Sequence, residues 1–432
     1  MPSVAFHTLG CKVNQYDTQA MRERFEQAGY EVRPFEETAD VYVVNTCTVT
    51  GTGDRKSLNA VRRALRQNPA ADVVIAGCLA QRDGEHLLST GARLVLGAAH
   101  RGEVVELLEK AQRENARVAV VDDVRRASFE RLTVSGDFER TRAVVKIQEG
   151  CDRWCSYCII PAVRGGIRSR EPADIRAEAL RLAAAGYQEL VLTGIHLTSY
   201  GRDLQDIGLI DGIRAADVPG IRRLRLGSLE PVIATRAFAE CLKNIPSVCP
   251  QFHLALQSGS DPILRAMRRR YTTEEFARSC ELLREAFPGC AITTDVIAGF
   301  PGETEAKFEE TAAFLRRIGF ARVHVFPYSA RQGTKAASLP DQVPKKIREE
   351  RARALIAIGR ETALQWAQTQ LGRIRPVLIE DEEGGIPRGY TPEYADTLVP
   401  GGLPGEIVDV RLTDYREGMF LGEIVTEKRS AR

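Results

Sequence analysis

The sequence lacks several features that would assign it to a familiar class. No apolar run in its 432 residues is long enough for a membrane span or a signal peptide, which predicts a cytoplasmic protein with no membrane partner. The net charge of +2 gives no overall field for nucleic acid, so any basic surface must be local. The segment GTGDRKS (51–57) lacks the spacing of a phosphate-binding P-loop. The six histidines are scattered, and no residue is assigned as a general base.

Cysteine, by contrast, is plentiful, with ten residues in the chain. In the reducing cytoplasm that we expect, these thiols are not paired in disulfides. Clustered cysteines in such a compartment more often bind metal or take part in chemistry. Six of them form two sets of three. The other four show no ligand spacing and are predicted to be structural: Cys241, Cys249, Cys280 and Cys290.

Short β-branched runs alternate with helical patterns in the first 115 residues or so. Apolar strands that alternate with helices are typical of a parallel sheet covered on both faces. The chain is therefore predicted to be an α/β protein that begins with a doubly wound parallel sheet domain. The strands are expected at 4–9, 41–46, 73–77 and 94–96, and the helices near 14–28, 53–67, 80–88 and 102–114.

A second alternating series follows a polar segment at 122–142. Its six strand–helix units predict a partial version of the eight-unit (β/α) barrel, here a (β/α)6 barrel. After a helix at 345–371, short strands with Gly- and Pro-rich turns predict a small β-barrel of a kind that often binds nucleic acid. These strands are expected at 143–148, 189–193, 223–228, 252–257, 291–297 and 321–326, and then at 374–380, 395–399, 405–413 and 420–427.

The sharpest local pattern is EGCDRWCSYCIIP, in which Cys151, Cys155 and Cys158 are spaced C-x3-C-x2-C. It follows the first strand of the predicted barrel, where such folds place their active sites. Three thiolates on one loop can hold three irons of a [4Fe–4S] cluster and leave the fourth iron open. A structural zinc site would need a fourth ligand, and no Cys or His follows until His196. Three unrelated core cysteines are the other alternative.

The first set consists of Cys11, Cys47 and Cys78, each at the carboxyl end of a predicted parallel strand. In an open α/β sheet these ends face one crevice, so three thiols far apart in sequence are expected to converge. They predict a second site with three protein ligands and one open iron. The alternative is that they are small buried apolar residues, a common use of free cysteine.

The C-x3-C-aromatic-x-C pattern, with Tyr157 as the aromatic residue, resembles the signature of radical S-adenosylmethionine (SAM) enzymes. The resemblance implies that the open iron binds SAM, which is cleaved to a radical, so the radical is generated at the cluster and no side chain is named as catalytic. Residues at successive strand ends resemble the SAM-contact regions of that family. The expected SAM-binding residues are Tyr157, Gly194, Ser228, Glu230, Gln257, Ile297 and Gly299.

The order of the three parts resembles the radical SAM methylthiotransferases, whose C-terminal barrel is called TRAM. The implied domains are 1–118 with the first cluster, 137–366 for radical SAM, and 368–430 for TRAM. The opening TLGCKVNQYDT is similar to the branch that acts on threonylcarbamoyl-adenosine (t6A) in tRNA, and PAVRGGIRSR also matches the family. The resemblance implies two [4Fe–4S] clusters and two uses of SAM, ending in a methylthio group on adenine C2 at position 37.

The expected partners are a tRNA substrate and, as electron donor, reduced flavodoxin or ferredoxin; the sulfur donor is unknown. Arg164, Arg168 and Arg170 lie near the predicted barrel mouth and are expected to contact RNA. Two groups of alternatives stay open. The same chemistry could act on isopentenyl-adenosine in tRNA or on a ribosomal-protein aspartate, or the chain could be a non-catalytic metal-cluster or zinc protein that binds RNA.

Overall fold

The computed structural model describes residues 1–125, 127–136 and 141–425. The predicted start of the second domain at 137, the predicted end of the third at 430 and the last two residues of the strand at 420–427 lie outside this part. The predicted domain bounds stay predictions. Within the described residues, none of the helices has the length and apolar character that crossing a membrane requires.

The N-terminal part is a six-stranded, fully parallel sheet in the order β2-β1-β3-β4-β5-β6. Its elements are β1 (Ser3–Thr8), α1 (Lys12–Gln27), β2 (Glu31–Arg33), β3 (Val41–Thr46), α2 (Gly51–Gln67), β4 (Asp72–Gly77), α3 (Cys78–Asp83), a 3-10 helix (Gly84–Thr90), β5 (Leu94–Leu96), a 3-10 helix (Arg101–Glu103), α4 (Val104–Arg113) and β6 (Val118–Val120).

Alternate residues of each strand enter two separate cores, one on each face of the sheet. Tyr42 and Val44 of β3 pack with α2 and α3, whereas Val41 and Val43 pack with α1 and α4. A strand that is buried on both faces needs a continuous apolar run, and this confirms the prediction of a doubly wound domain. The strand order reverses between β1 and β3, which makes a crevice at their carboxyl ends.

The central part contains six parallel strands of a partial barrel. The strands β7, β9 and β10 form one sheet and β11, β12 and β13 another, and isolated parallel bridges connect β10 to the β11 segment. The elements are β7 (Arg142–Glu149), α5 (Ile160–Arg164), β8 (Arg168–Ser169), α6 (Pro172–Ala184), β9 (Glu189–Gly194), α7 (Leu209–Ala216), β10 (Arg223–Leu226), α8 (Arg236–Lys243), β11 (Gln251–His253), α9 (Asp261–Ala266), α10 (Thr273–Ala286), β12 (Ala291–Ala298), α11 (Glu305–Ile318), β13 (Arg322–Pro327) and α12 (Lys345–Gln368), with 3-10 helices at Leu197–Ser199, Pro231–Ile233 and Lys335–Ser338.

The C-terminal part is a closed five-stranded barrel in the order β14-β15-β16-β18-β17. Its strands are β14 (Ile374–Glu383), β15 (Ile386–Tyr390), β16 (Asp396–Leu398), β17 (Ile407–Arg416) and β18 (Met419–Ile424). Tyr394, in the loop before β16, lies against Arg142 and Arg225 of the central barrel, with guanidinium carbons 4.9 and 4.6 Å from the ring centre. These cation–π contacts attach the small barrel to β7 and β10 of the central part.

The secondary structure differs from the prediction at a few places, each with a local cause. The predicted helix at 80–88 is divided, because Gly84 has a φ of 50° and ends α3 before the 3-10 helix begins. The predicted strand at 252–257 shortens to β11. The edge strands β2 and β6 were missed because they have three residues each and are only partly buried, and β15 was missed because it contains Pro387 and Gly389.

Candidate active site between two cysteine sets

The three N-terminal cysteines stand at the carboxyl ends of adjacent strands. Cys11 follows β1, Cys47 follows β3, and Cys78 follows β4 as the first residue of α3. Burial raises the pKa of the Cys47 thiol to about 11, and the nearby thiols of Cys78 and Cys11 also raise it. The sheet therefore brings these three thiols within electrostatic range of one another, at the crevice that the sequence predicted.

The second set lies on the loop that follows β7. The amide of Cys158 donates to the carbonyl of Cys155 at 3.0 Å, so the loop is tightly turned. Burial raises the pKa of Cys158 to about 12, with a further contribution from Cys155 and Cys151. Gly150, just before the set, has a φ of 74°, and a Cβ there would lie 1.7 Å from the carbonyl oxygen of Gly166. Only glycine allows the turn that starts this loop.

A single short helix connects the two sets. The amide of Ile160, the first residue of α5, donates to Cys158 Sγ at 3.4 Å. Arg164, the last residue of α5, donates from Nε to Cys78 Sγ at 3.1 Å. Ile159 and Val163 pack directly against Cys78. Both cysteine sites thus contact the same helix of five residues.

The donor set suits a cluster of several irons better than a single ion. All ten cysteines are free thiols. Among the described residues, no three His, Cys, Asp or Glu side chains come close enough to hold one metal ion. In a [4Fe–4S] cluster each thiolate binds a different iron, so the ligands stand farther apart than around one zinc ion. Three thiols at each set are chemically suited to hold a cluster of this kind.

Arg164 belongs to a fully buried charge network that joins the first two domains. Its Nη1 donates to Glu149 Oε2 at 3.0 Å and to Asp17 Oδ2 at 3.2 Å. Arg101 and Lys146 bond the same Asp17 carboxylate. Burial alone would raise the pKa of Asp17, but these three cations hold it well below its usual range. Because the cations and carboxylates come from both domains, the network fixes one domain against the other.

Glu230 is the centre of the polar groups beside the second set. Its carboxylate lies 2.9 Å from Arg153 Nη2, 3.2 Å from His196 Nε2 and 3.3 Å from Arg269 Nη2. Burial would raise the pKa of Glu230, but the neighbouring His196 and the charges of the two arginines lower it to about 2. Arg269 also donates from Nη1 to Cys155 Sγ at 3.5 Å, which links Glu230 to the cysteine loop.

Three other residues expected to contact SAM are held by packing or by hydrogen bonds within the protein. Tyr157 lies edge-on to Phe300, and Ile297 packs against the same small core. The amide of Ile297 donates to the carbonyl of Gln257 at 2.9 Å, and the amide of Gly299 donates to Glu303 Oε1 at 2.8 Å. These two N–H groups are thus already used within the protein.

Gly194 ends β9 against the side chain of Gln148, where a Cβ would lie 2.7 Å from Oε1. Ser228 is exposed at the end of the β10 segment. Gln257 has a φ of 69°, an uncommon conformation for a residue other than glycine, directly after the β11 segment. The residues expected to contact SAM lie near or after the carboxyl ends of central strands. Their contact with SAM stays a prediction.

The three arginines expected to contact RNA are instead buried. Arg164 is fully enclosed, Arg168 donates to the carbonyls of Val124 and Arg164, and Arg170 pairs with Glu178. The clustering of arginines in the sequence did not predict their exposure, because each guanidinium donates to a carboxylate or carbonyl oxygen from a distant segment. In this structure the three guanidinium groups are therefore not accessible to a phosphate.

A different surface is open at the edge of the partial barrel. On β13, Val323 and Val325 pack into the core, whereas Arg322, His324 and Phe326 on the opposite face are exposed. At the start of this strand lies a groove of about 710 Å³ between the central part and the small barrel. It is lined by Thr293, Arg322, Arg360, Trp366, Tyr394 and Tyr415, among others.

Three family models match the chain. They are described as Uncharacterized protein family UPF0004 at residues 3–97, Radical SAM superfamily at 145–315 and TRAM domain at 368–425. A solved radical S-adenosylmethionine methyltransferase, TsrM from Kitasatospora setae, with cobalamin and a [4Fe–4S] cluster bound, has a similar fold. Its TM-score is 0.54 at 18% identity, over 78% of this chain and 77% of that chain.

Two curated relatives carry the name threonylcarbamoyladenosine tRNA methylthiotransferase MtaB. The protein of Bacillus subtilis is 41% identical over 99% of this chain and 98% of its own length. The protein of Aquifex aeolicus is 39% identical over 91% of this chain and 95% of its own length. With the domain order and the two cysteine sets, these matches show that the chain belongs to the MtaB family and is a radical SAM tRNA methylthiotransferase.

Proposed function

We propose that the protein transfers a methylthio group to C2 of N6-threonylcarbamoyladenosine at position 37 of tRNA, with one [4Fe–4S] cluster on each cysteine set. The observation that carries this proposal is the helix α5, which contacts a thiol of each set at its two ends. The backbone of this helix is about 7.5 Å long at 1.5 Å per residue, and the Arg164 side chain extends from its last residue to Cys78, so both sites are tied to one short element.

In this proposal, Cys151, Cys155 and Cys158 hold the cluster that binds and cleaves SAM, which supplies the radical chemistry. The chain's own part there is to hold fixed charges beside the thiolates. Glu230 stays ionised at neutral pH and keeps Arg153, Arg269 and His196 in place. A carboxylate in this position also suits the amino group of SAM, which is a cation.

Cys11, Cys47 and Cys78 hold the second cluster, with one iron position free for the sulfur that is to be transferred. The enclosed side of this set is formed by α3 and α5, and the Arg164 guanidinium contacts Cys78 from within the protein. Cys11 is exposed whereas Cys78 is buried, so the set is accessible at Cys11.

The adenosine must leave its stack before its C2 can approach either cluster. In an anticodon loop this costs a few kcal/mol or less, because the purine is only partly stacked. The exposed face of β13 offers an aromatic ring at Phe326 and a cation at Arg322, which suit a base and a phosphate. We propose that the loop of the tRNA lies along this face, and that the groove beside the small barrel holds the adjoining nucleotides.

The choice of t6A rests on the relatives, four of which are named for it, and on the TLGCKVNQYDT segment around Cys11. We further propose a cytoplasmic protein that receives electrons from reduced flavodoxin or ferredoxin. In the test, reconstituted protein is given SAM, reductant and one of three substrates: tRNA with t6A, tRNA with isopentenyl-adenosine, or the ribosomal protein. Mass spectrometry of the products should show the methylthio group only on t6A. Unchanged t6A in the presence of intact clusters would contradict the substrate, and zinc without sulfide would contradict the clusters.

A further inference from the structure

Each cysteine set is contacted by one arginine, and the chemistry of the contact is the same on both sides. Arg164 donates to Cys78 Sγ at 3.1 Å, and Arg269 donates to Cys155 Sγ at 3.5 Å. The two arginine side chains are 0% and 6% exposed. Neither bond is needed for the proposed chemistry as such, and neither was predicted from the sequence.

A bond from N–H to a thiolate sulfur draws negative charge away from the cluster that the sulfur binds. The reduced cluster is the more negative form, so such a bond stabilises it and raises the reduction potential. The effect is larger for a cationic donor that is shielded from water, since little solvent is present to screen its charge.

The two guanidinium groups cannot turn away from the sulfur atoms. Arg164 is held through Nη1 by Glu149 and Asp17 and through Nη2 by Asn14 Oδ1, which leaves Nε for Cys78. Arg269 is held through Nε by Tyr271 Oη at 2.9 Å and through Nη2 by Glu230, which leaves Nη1 for Cys155. A planar fork with several donors can serve these partners together, whereas a lysine ammonium cannot.

We propose that Arg164 and Arg269 are positioning residues that set the reduction potentials of the two clusters, each through its N–H···S bond. This inference rests on the proposed function, which places one cluster on each set. The reduction potential of each cluster is then set by a different residue: Arg164 for the N-terminal cluster and Arg269 for the cluster that binds SAM.

Arg101 provides a matched control for Arg164. It lies in the same buried network, is 1% exposed and bonds Asp17 and, at 2.8 Å, Glu130. Its third nitrogen donates to the carbonyl of Ala98, so its donors go to oxygen atoms. Replacing Arg101 removes the same buried charge as replacing Arg164, without removing a bond to sulfur.

The test measures each cluster alone in the full-length protein. Replacing Cys151, Cys155 and Cys158 with alanine leaves the N-terminal cluster, and replacing Cys11, Cys47 and Cys78 leaves the other. In each background we compare wild type with Arg164→Gln, Arg164→Lys, Arg269→Gln and Arg101→Gln. Iron and sulfide are quantified anaerobically, and the potential is followed by electron paramagnetic resonance during titration with dithionite.

We expect Arg164→Gln and Arg164→Lys to shift the N-terminal cluster to a more negative potential and to leave the other cluster unchanged. Arg269→Gln should do the reverse, and Arg101→Gln should shift neither by as much. Equal shifts in Arg101→Gln and Arg164→Gln, or a wild-type potential in Arg164→Lys, would overturn the inference. Loss of the cluster in both Arg164 variants would make the residue purely structural and would overturn it too. Fewer than two clusters in the wild type would instead contradict the proposed function.

Discussion

Arg331, in the loop after β13, donates to Asp54 Oδ2 at 2.9 Å and thereby joins the central part to the start of α2. The same nitrogen donates to Thr48 Oγ1, next to Cys47. This loop also contacts the second cysteine set, because the amide of Ala336 donates to the carbonyl of Ser156 at 2.7 Å. One loop therefore touches the immediate neighbours of both cysteine sets.

We expect Arg331→Ala to uncouple the two sites. SAM cleavage should persist, but methylthio transfer should fall on the order of 10-fold or more, because small displacements between reacting groups are costly. The ratio of methylthiolated nucleoside to 5′-deoxyadenosine measures this coupling. Arg82→Ala is the matched control, since Arg82 bonds the same Asp54 and Thr48 from within the N-terminal part. An equal loss in both variants would contradict a specific part for the loop.

The two cysteine sets should fail in different ways. Cys155→Ala is expected to abolish SAM cleavage, because the three-thiolate site loses a ligand. Cys47→Ala should spare SAM cleavage and stop methylthio transfer. Quantifying 5′-deoxyadenosine and the modified nucleoside in the same reaction separates the outcomes. Cys241→Ala, outside both sets, should retain both activities, and loss of SAM cleavage in Cys47→Ala would argue against separate tasks.

The depressed pKa of Glu230 predicts a dependence of stability on pH. The carboxyl has a pKa of about 2 in the folded protein, below its unfolded value of about 4.3. The stabilisation that the ionised carboxylate gives the folded protein is therefore fully present above about pH 4.3. It is lost as the pH falls from about 4.3 toward 2. Urea denaturation of the metal-free protein gives the free energy of unfolding at pH 5 and at pH 3.5. The loss of this free energy between the two pH values should be smaller for Glu230→Gln than for wild type. The exposed-site variant Glu423→Gln is the control and should keep the wild-type difference.

Tyr394 should hold the small barrel in place. Its ring contacts the buried Arg225 and the partly buried Arg142, and cation–π contacts of this kind contribute about 0.5–2 kcal/mol each. Tyr394→Ala is expected to raise the rate of proteolysis between α12 and β14 and to weaken binding of a tRNA anticodon stem-loop. Tyr394→Phe keeps the ring and should resemble wild type. Unchanged proteolysis in the alanine variant would mean that other contacts attach this barrel.

The broad architecture was predictable because it depends on local patterns. Continuous apolar strands such as 41–46 indicate burial on both faces. Because these strands are parallel, the cysteines that follow them lie at the same edge of the sheet. The order of the three parts was recognisable for the same reason. The model confirms the α/β fold with its parallel sheet, its partial barrel and its small C-terminal barrel.

The surroundings of the site were not predictable, because they depend on which distant residues meet. Arg164 was expected at an RNA surface, but its partners come from positions 14, 17, 78 and 149, and only the fold brings these together. Arg269 looked like one of three neighbouring arginines in RRR, and nothing local distinguishes the one that contacts Cys155. The exposed face of β13 likewise depends on the partial barrel being open at that edge.

The shortness of α5 has a mechanical consequence. A helix of one and a half turns is too short to bend, and each of its ends is bonded to a cysteine of a different set. Because α5 belongs to the central part, opening of the domains would change the spacing between those two thiols only by breaking the bond from Arg164 to Cys78. While that bond is intact the spacing of the two sites is fixed, and it is then the nucleic acid and the small molecules that must move between them.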